Sequence, residues 1–281
     1  MNAQMPCHAL RELCERVLGY DGMELFRDIL EPSIPGIRDL LIPLGRYRLR
    51  PTPEDIPAED SWAFHALSVL NDYVRLPLRL NKREYLHFFQ ALGFQPFEGG
   101  TFSPVRHEIV EVGNWTQPEE GIQLGAGYWP GLMWGELVFS RSAASVSCHP
   151  SFQILDGIAD RSRLYFTNRR MRRDVVDRSH GWGSNSRWRT PFRFDYEEKD
   201  LIVFNLTGTY DLAAPERLGG PLDANEELPV EQRRELLMHR CFVASKVDGN
   251  DRMPWNDTLA IRRTRPPWPL EEGLLVRREN T

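Results

Sequence analysis

The middle of the chain contains an arginine-rich stretch whose side chains could bind an anion. Between Arg161 and Arg193 there are ten arginines and two acids, Asp174 and Asp177, so ten minus two gives a formal charge of +8 in a chain of net charge −5. Guanidinium groups bind phosphate and carboxylate groups through paired, parallel hydrogen bonds. The ten are Arg161, Arg163, Arg169, Arg170, Arg172, Arg173, Arg178, Arg187, Arg189 and Arg193. The sequence therefore predicts an anion-binding region here.

A polar, glycine-containing segment lies inside this stretch, from Ser179 to Thr190. It reads Ser-His-Gly-Trp-Gly-Ser-Asn-Ser-Arg-Trp-Arg-Thr, and its backbone N–H groups and arginines could together surround an anion. It is not a P-loop, because the Gly-Lys-Ser/Thr ending of that motif is missing. The predicted anion-binding residues are Arg169, Arg170, Ser184, Asn185, Arg187 and Arg189.

Three interpretations of the arginine-rich stretch remain open. In the first, the arginines pair with the acidic segment 215–235 and with acids just after the stretch, as a structural ion-pair network. In the second, they bind a nucleotide or a single-stranded nucleic acid whose bases stack on aromatic side chains. In the third, they dock an acidic protein. The acids are Asp195, Glu197 and Glu198, and the aromatic residues are Tyr165, Phe166, Trp182 and Trp188.

His180 is the first candidate for a catalytic residue. An imidazole exchanges its proton near neutral pH, and this one lies in the most polar part of the stretch. Asn185, Arg187 and Arg189 would bind the anion beside it. No serine occupies a G-x-S-x-G elbow, and no H-E-x-x-H motif is present, so neither a serine hydrolase nor a zinc protease is indicated.

Composition narrows the class of protein. The 281 residues, 41% hydrophobic and 27% charged, are sufficient for a sizeable core. The four cysteines show no C-x-x-C or Cys/His spacing, so the sequence predicts neither a metal nor a cofactor and favours a reducing, cytoplasmic compartment. There is no signal-peptide pattern and no long apolar run, so we expect no membrane association. The oligomeric state is left open.

Helices are predicted in the first third of the chain. Apolar residues recur at helical spacing over 8–31, and prolines then end the helix. Residues 32–60 contain six prolines and are predicted to be an extended connection. A second helix is predicted to begin at Ser61.

A third helix is predicted to begin at Asn81 and to end at Gly93. Glu84 follows Asn81 by three residues, which is the pattern of a capping box. Gly93 is expected to adopt a left-handed C-cap conformation.

Strands are predicted beyond Gly93, which makes the chain α+β. A small antiparallel β module is expected over 107–113, 132–139 and 142–148, and a later strand pair over 200–212. A helix is predicted over 230–240 and a strand over 241–247. The predicted organisation is a helical region at 1–92, the β module at 93–150, and the basic segment with a second β-rich lobe at 151–281.

The stretch from Leu92 to Ser147 resembles the β-domain of GrpE, the nucleotide-exchange partner of DnaK-type chaperones. The matching residues are Leu92-Gly-Phe-Gln-Pro96, Phe102-Ser-Pro-Val-Arg-His-Glu-Ile-Val-Glu-Val112, Pro118-Glu-Glu-Gly121, Trp129-Pro-Gly-Leu-Met-Trp-Gly135 and Ala144-Ser-Val-Ser147. The long dimerising helix of that family is missing. The resemblance implies a non-catalytic interaction protein that binds a DnaK-type chaperone.

An exposed sheet face would carry that interaction. The residues expected on it are Val110, Val112, Trp115, Trp129, Met133 and Trp134. Aromatic and Met side chains anchor interfaces at low entropic cost. In the alternative interpretation the same residues brace a small core, because Trp is usually well buried.

Overall fold

The computed structural model describes residues 6–75, 80–113, 117, 120–154, 192–215, 228–244, 256–263 and 268–278. Within them the chain combines an N-terminal group of helices with two β-sheets. This confirms the predicted α+β class. No helix in these residues has the length and apolarity needed to cross a membrane.

In the described residues, four α-helices precede the first strand. They are α1 (Pro6–Gly19), α2 (Glu31–Leu41), α3 (Ala58–Arg75) and α4 (Lys82–Ala91). A π-helical turn, Phe26–Leu30, leads directly into α2, and 3₁₀ turns at Pro43–Arg48 and Pro53–Asp55 join α2 to α3. The capping box at Asn81 and Glu84 is present in full, and Gly93 has a φ of 95°, so both predicted ends of α4 are confirmed.

The prediction of an extended connection at residues 32–60 is wrong, because α2 occupies its first part. Pro32 is the second residue of the helix and lacks the backbone N–H that could donate to the π-helical turn before it. Pro35 lies inside the helix and removes one hydrogen bond. Burial of Leu30, Ile37 and Leu41 in the core offsets that loss.

The larger sheet has eight strands. Its order is β1 (Gln95–Phe97), β4 (Gly131–Trp134), β5 (Leu137–Ser140), β7 (Tyr196–Glu197), β8 (Leu201–Phe204), β10 (Asp257–Arg262) and β11 (Leu275–Val276), with β9 (Tyr210–Asp211) beside β10. β8 pairs with β7 and β10, so the two strands that fall within 200–212, β8 and β9, do not pair with each other as predicted. The described residues 241–244 form bends and no strand, contrary to prediction.

The smaller sheet has three strands, in the order β2 (His107–Gly113), β6 (Ser142–Ser147) and β3 (Gln123–Trp129). β2 and β6 run parallel, whereas β3 and β6 run antiparallel. The predicted all-antiparallel module is therefore wrong. β5 and β6 lie on either side of Arg141, and there the chain passes from the larger sheet to the smaller one, which brings β6 alongside β2 in the same direction.

A fifth helix, α5 (Val230–His239), contacts the cores of both sheets and confirms the helix predicted at 230–240. Leu236 belongs to the core of the smaller sheet, with Val112, Val146 and Phe242. Leu237 and Met238 pack against one face of the larger sheet. The other face of that sheet packs against the N-terminal helices. The end of α5 thus lies where the two sheets meet.

Candidate functional site

A buried cluster of charged side chains lies at the junction of the two sheets. Asp195, just before β7, is fully buried, and three arginines donate hydrogen bonds to its carboxylate. Arg193 Nη2 lies 3.0 Å from Oδ1, and Arg141 Nη2 and Arg240 Nη2 lie 3.2 and 3.1 Å from Oδ2. The backbone N–H of Asn205 donates to Oδ1 at 2.9 Å. Arg141, Arg193, Asp195 and Arg240 are called the arginine cluster below.

The C-terminal end of α5 positions the arginine cluster. Arg141 Nη1 donates to the carbonyl oxygen of Met238 at 2.8 Å, and Arg193 Nη2 donates to that of Leu237 at 2.8 Å. The last carbonyls of a helix have no partner within the helix and carry a partial negative charge, so guanidinium groups stabilise them. Arg240 caps the helix in a left-handed conformation, with a φ of 62°.

The arginine cluster carries an excess of positive charge. Three guanidinium groups and one carboxylate give three minus one, a net charge of +2, in a buried position. Burial alone would raise the pKa of Asp195, but the three arginines outweigh it and hold that pKa below its ordinary value. Burial first, and then repulsion by Arg240, lower the pKa of Arg141. A guanidinium nevertheless keeps its proton, because its intrinsic pKa is so high.

Arg193 and Arg141 each have a nitrogen atom that is not used by the part of the chain that the structure describes. Arg193 Nη1 and Arg141 Nε are buried and find no hydrogen-bond acceptor among the described residues. A buried donor without an acceptor is costly, and more so when it is charged. These N–H groups therefore provide binding capacity for an anion. Arg240, with 17% of its side chain exposed, is the member of the cluster nearest to solvent.

His239 adds an uncharged polar group next to the arginines. Its ring stacks with Phe102 at a centroid distance of 6.3 Å and meets the edge of Trp268 at 4.6 Å. Burial, helped by the charge of Arg141, lowers the pKa of His239 to about 3. Its Nε2 has no hydrogen-bond partner among the described residues.

His107, the first residue of β2 in the smaller sheet, pairs with Ser142, the residue after Arg141. It stacks with Phe102 at 6.0 Å, and its Nδ1 lies 3.0 Å from the backbone nitrogen of Ser103. Burial lowers the pKa of His107 to about 4, although the nearby carbonyls of Ser103 and Gly99 oppose the shift. At neutral pH both imidazoles are therefore uncharged, and the positive charge of the site resides on its arginines.

This arrangement suits an oxyanion rather than a metal ion. Guanidinium groups donate hydrogen bonds and repel cations, and the one carboxylate is already bonded to three arginines. In the described part of the chain no group of His, Cys, Asp and Glu side chains has the proximity needed to hold a metal. The chemistry available is recognition of a phosphate, sulfate or carboxylate group.

The predicted arginine-rich stretch contributes one residue to this cluster. Arg169, Arg170, Ser184, Asn185, Arg187 and Arg189, and the catalytic candidate His180, lie outside the described residues. Arg193, the last arginine of the predicted stretch, does belong to the cluster and pairs with Asp195. The ion-pair interpretation is therefore confirmed for that one pair.

Sequence reasoning missed Arg141, His239 and Arg240. Each is remote in the sequence from Asp195, and only the folded chain brings them together. The one available signal was Arg141 itself, because it interrupts the run of small and apolar residues from Leu137 to Val146. A lone arginine between two buried strands requires an acidic partner or a backbone carbonyl.

The residues predicted to bind a chaperone are largely in the core. Val112, Met133 and Trp134 are buried, and Trp134 Nε1 donates to the carbonyl oxygen of Leu44 at 3.0 Å. Val110 and Trp129 are half-buried, and Trp115 lies outside the described residues. Core bracing thus accounts for three of the six side chains. The GrpE-like co-chaperone function stays a prediction.

Comparison with protein-family models, with curated proteins and with solved structures found no match for this chain.

Proposed function

We propose that the chain recognises an anionic ligand, carrying a phosphate or a carboxylate group, at the arginine cluster. The observation that carries this proposal is the charge count: three guanidinium groups share one buried carboxylate, Asp195. Buried guanidinium groups are unfavourable unless negative charge compensates them. A bound oxyanion would supply that compensation and accept hydrogen bonds from Arg193 Nη1 and Arg141 Nε.

The arginine-rich stretch supports the same class of ligand. Arg193 closes that stretch and is itself a member of the cluster, so the sequence leading into the site carries nine further arginines between 161 and 189. A phosphate-bearing ligand, such as a nucleotide, suits this density of guanidinium groups better than a simple carboxylate, because phosphate offers more acceptor oxygens and more charge.

A ligand-dependent thermal shift tests the proposal. Sodium phosphate, sodium sulfate and ATP are compared with sodium chloride at equal ionic strength, so that screening is the same in each sample. A ligand at about ten times its Kd adds about 1.4 kcal/mol to the free energy of unfolding, which raises Tm by about 2 °C or more.

Two variants assign the shift to the cluster. Arg240→Gln removes the guanidinium group nearest to solvent, and we expect it to lose most of the shift. Arg263→Gln is the control, because Arg263 pairs with Glu197 at 3.2 Å, outside the cluster. No shift in the wild type with any of the three anions, or an equal shift in both variants, would overturn the proposed function.

A further inference from the structure

We propose that anion binding at the arginine cluster is coupled to the uptake of one proton by His239. This inference rests on the proposed function and adds a mode of regulation to the same site. It predicts a ligand that is held tightly in mildly acidic conditions and released as the pH rises.

The position of His239 provides the connection. His239 is the last residue of α5. The carbonyl oxygen of the residue before it, Met238, accepts a hydrogen bond from Arg141, and the residue after it, Arg240, binds Asp195. Its side chain is 5% exposed. Because its Nε2 has no partner in the described part of the chain, this nitrogen is available to take up a proton and donate it to an anion.

The surrounding charges determine when that proton is taken up. Arg141, at the junction of the sheets, is the charged group that opposes protonation of His239. Arg193 and Asp195 lie beyond Arg141, and Arg240 is the next residue in the chain after His239. Phe102 and Trp268 pack on the ring and carry no charge. Without a ligand, burial and Arg141 both oppose the imidazolium form and lower the pKa of His239 to about 3.

An anion reverses the balance of charge around His239. Its negative charge compensates Arg141 and attracts the proton, and these interactions are strong because the site is poor in water. The imidazolium would then donate from Nε2 to the anion and rest against the ring of Phe102, where a cation is favourable. By linkage, a ligand that raises the pKa of His239 binds the protonated protein more tightly by the same factor.

His107 is the matched control for His239. Both imidazoles are buried, both stack with Phe102 and both lie within the influence of Arg141. In both, Nε2 has no partner among the described residues. His107 differs in position: it lies on β2 with its Nδ1 against the backbone of Ser103, whereas His239 ends the helix whose last carbonyls bind Arg141 and Arg193. We therefore expect His107→Gln to retain the coupling and His239→Gln to lose it.

Isothermal titration calorimetry with sulfate measures the coupling directly. Sulfate is the probe because its own charge does not change over the pH range, so any proton taken up belongs to the protein. The titration is repeated in two buffers of different ionisation enthalpy, and the difference in heat gives the number of protons. We expect the Kd for sulfate to fall about tenfold or more between about pH 7.5 and about pH 5.5, with about half a proton or more taken up near pH 6.

The outcomes separate this inference from the proposed function. Sulfate binding with the same Kd at both pH values, and no buffer-dependent heat, overturns the coupling and leaves anion recognition intact. No sulfate binding at any pH overturns both. Coupling that survives in His239→Gln and disappears in His107→Gln also overturns the assignment to His239.

A measurement on the wild-type protein covers the case in which a variant fails to fold. Histidine labelled with ¹³C is followed by NMR across the same pH range, with and without sulfate. The chain has seven histidines, and we expect one buried imidazole to gain an apparent pKa near neutrality only when sulfate is present. The absence of any sulfate-dependent histidine titration overturns the inference.

Discussion

Arg141 Nη1 donates a hydrogen bond to the carbonyl oxygen of Met238 at 2.8 Å, and Nη2 of the same side chain reaches Asp195. Arg141 is the residue at which the chain passes from one sheet to the other. Its guanidinium group thereby connects the C-terminal end of α5 with the segment before β7. The arginine cluster is accordingly part of the framework of the fold as well as the candidate ligand site. Substitutions within it are expected to change stability and binding by different amounts.

Asp195→Asn should destabilise the protein far more than Arg240→Gln. The first change removes the carboxylate charge that Arg141, Arg193 and Arg240 share, and breaking a buried ion pair in this way costs about 3 kcal/mol or more. The second removes one of three donors, at the position of the cluster nearest to solvent, and should cost about 1 kcal/mol. Urea unfolding monitored by circular dichroism compares the two. Equal losses would contradict the charge count on which the site depends.

The ligand-free protein should lose stability as the pH falls below about 6.5, the ordinary pKa of histidine. In the unfolded chain His239 takes up a proton there, whereas in the folded chain its pKa is lowered to about 3. The unfolded state binds more protons over that window, so the free energy of unfolding decreases by up to about 1.4 kcal/mol per pH unit.

His107, with its pKa lowered to about 4, adds a loss of the same sign. Asp195 adds another only in stronger acid, below its unfolded pKa, because its folded pKa is depressed. Urea midpoints measured at intervals from about pH 7.5 to about pH 4.5 follow the loss. His239→Gln should flatten the profile, and a wild-type profile without slope in this window would contradict the assignment.

Gly135→Ala should destabilise the turn between β4 and β5. Gly135 has a φ of 65°, and a Cβ there would lie 2.2 Å from the carbonyl oxygen of Arg48. Strain and clash together should cost about 2 kcal/mol or more. Gly127→Ala, in β3, is the control, since a Cβ there meets nothing within 4 Å. Thermal unfolding of the two variants should differ clearly, and similar Tm values would be evidence against the close approach of Arg48.

Asn81→Ala should cost about 1 kcal/mol through the loss of the capping box at the start of α4. Lys82→Ala is a suitable comparison at the next residue. It removes an exposed ion pair with Glu98, which is expected to contribute less than about 0.5 kcal/mol. Chemical denaturation of both variants gives the two free energies. A larger loss for Lys82→Ala than for Asn81→Ala would contradict the importance of the cap.

Local signals in the sequence were sufficient where the interaction is itself local. Asn81 and Glu84 are three residues apart, so their mutual capping could be predicted without knowledge of the fold. The same holds for Arg193 and Asp195, which are two residues apart. Helix α2 was not predicted, because prolines in a sequence usually indicate the end of a helix. The burial that stabilises α2 depends on segments that are distant in the sequence.

The rest of the site could not be predicted because it exists only in the folded chain. Arg141, Asp195 and Arg240 are separated by about fifty residues at each step, and their approach requires both sheets and the end of α5 to be in place. The parallel pairing of β2 with β6 is equally non-local. Alternation of apolar residues predicts that strands exist, but it does not predict which neighbour each strand will take.

The insertion of β7 between β5 and β8 has a consequence for the order of assembly during synthesis. β5 emerges from the ribosome nearly sixty residues before the strand that becomes its neighbour, and β10 and β11 follow later still. Until then the backbone N–H and C=O groups on that edge of β5 are without their partner strand. A nascent chain paused before residue 196 should therefore bind a chaperone that holds unfolded chains, or aggregate. Synthesis of the next eighty residues would supply the remaining strands of the sheet.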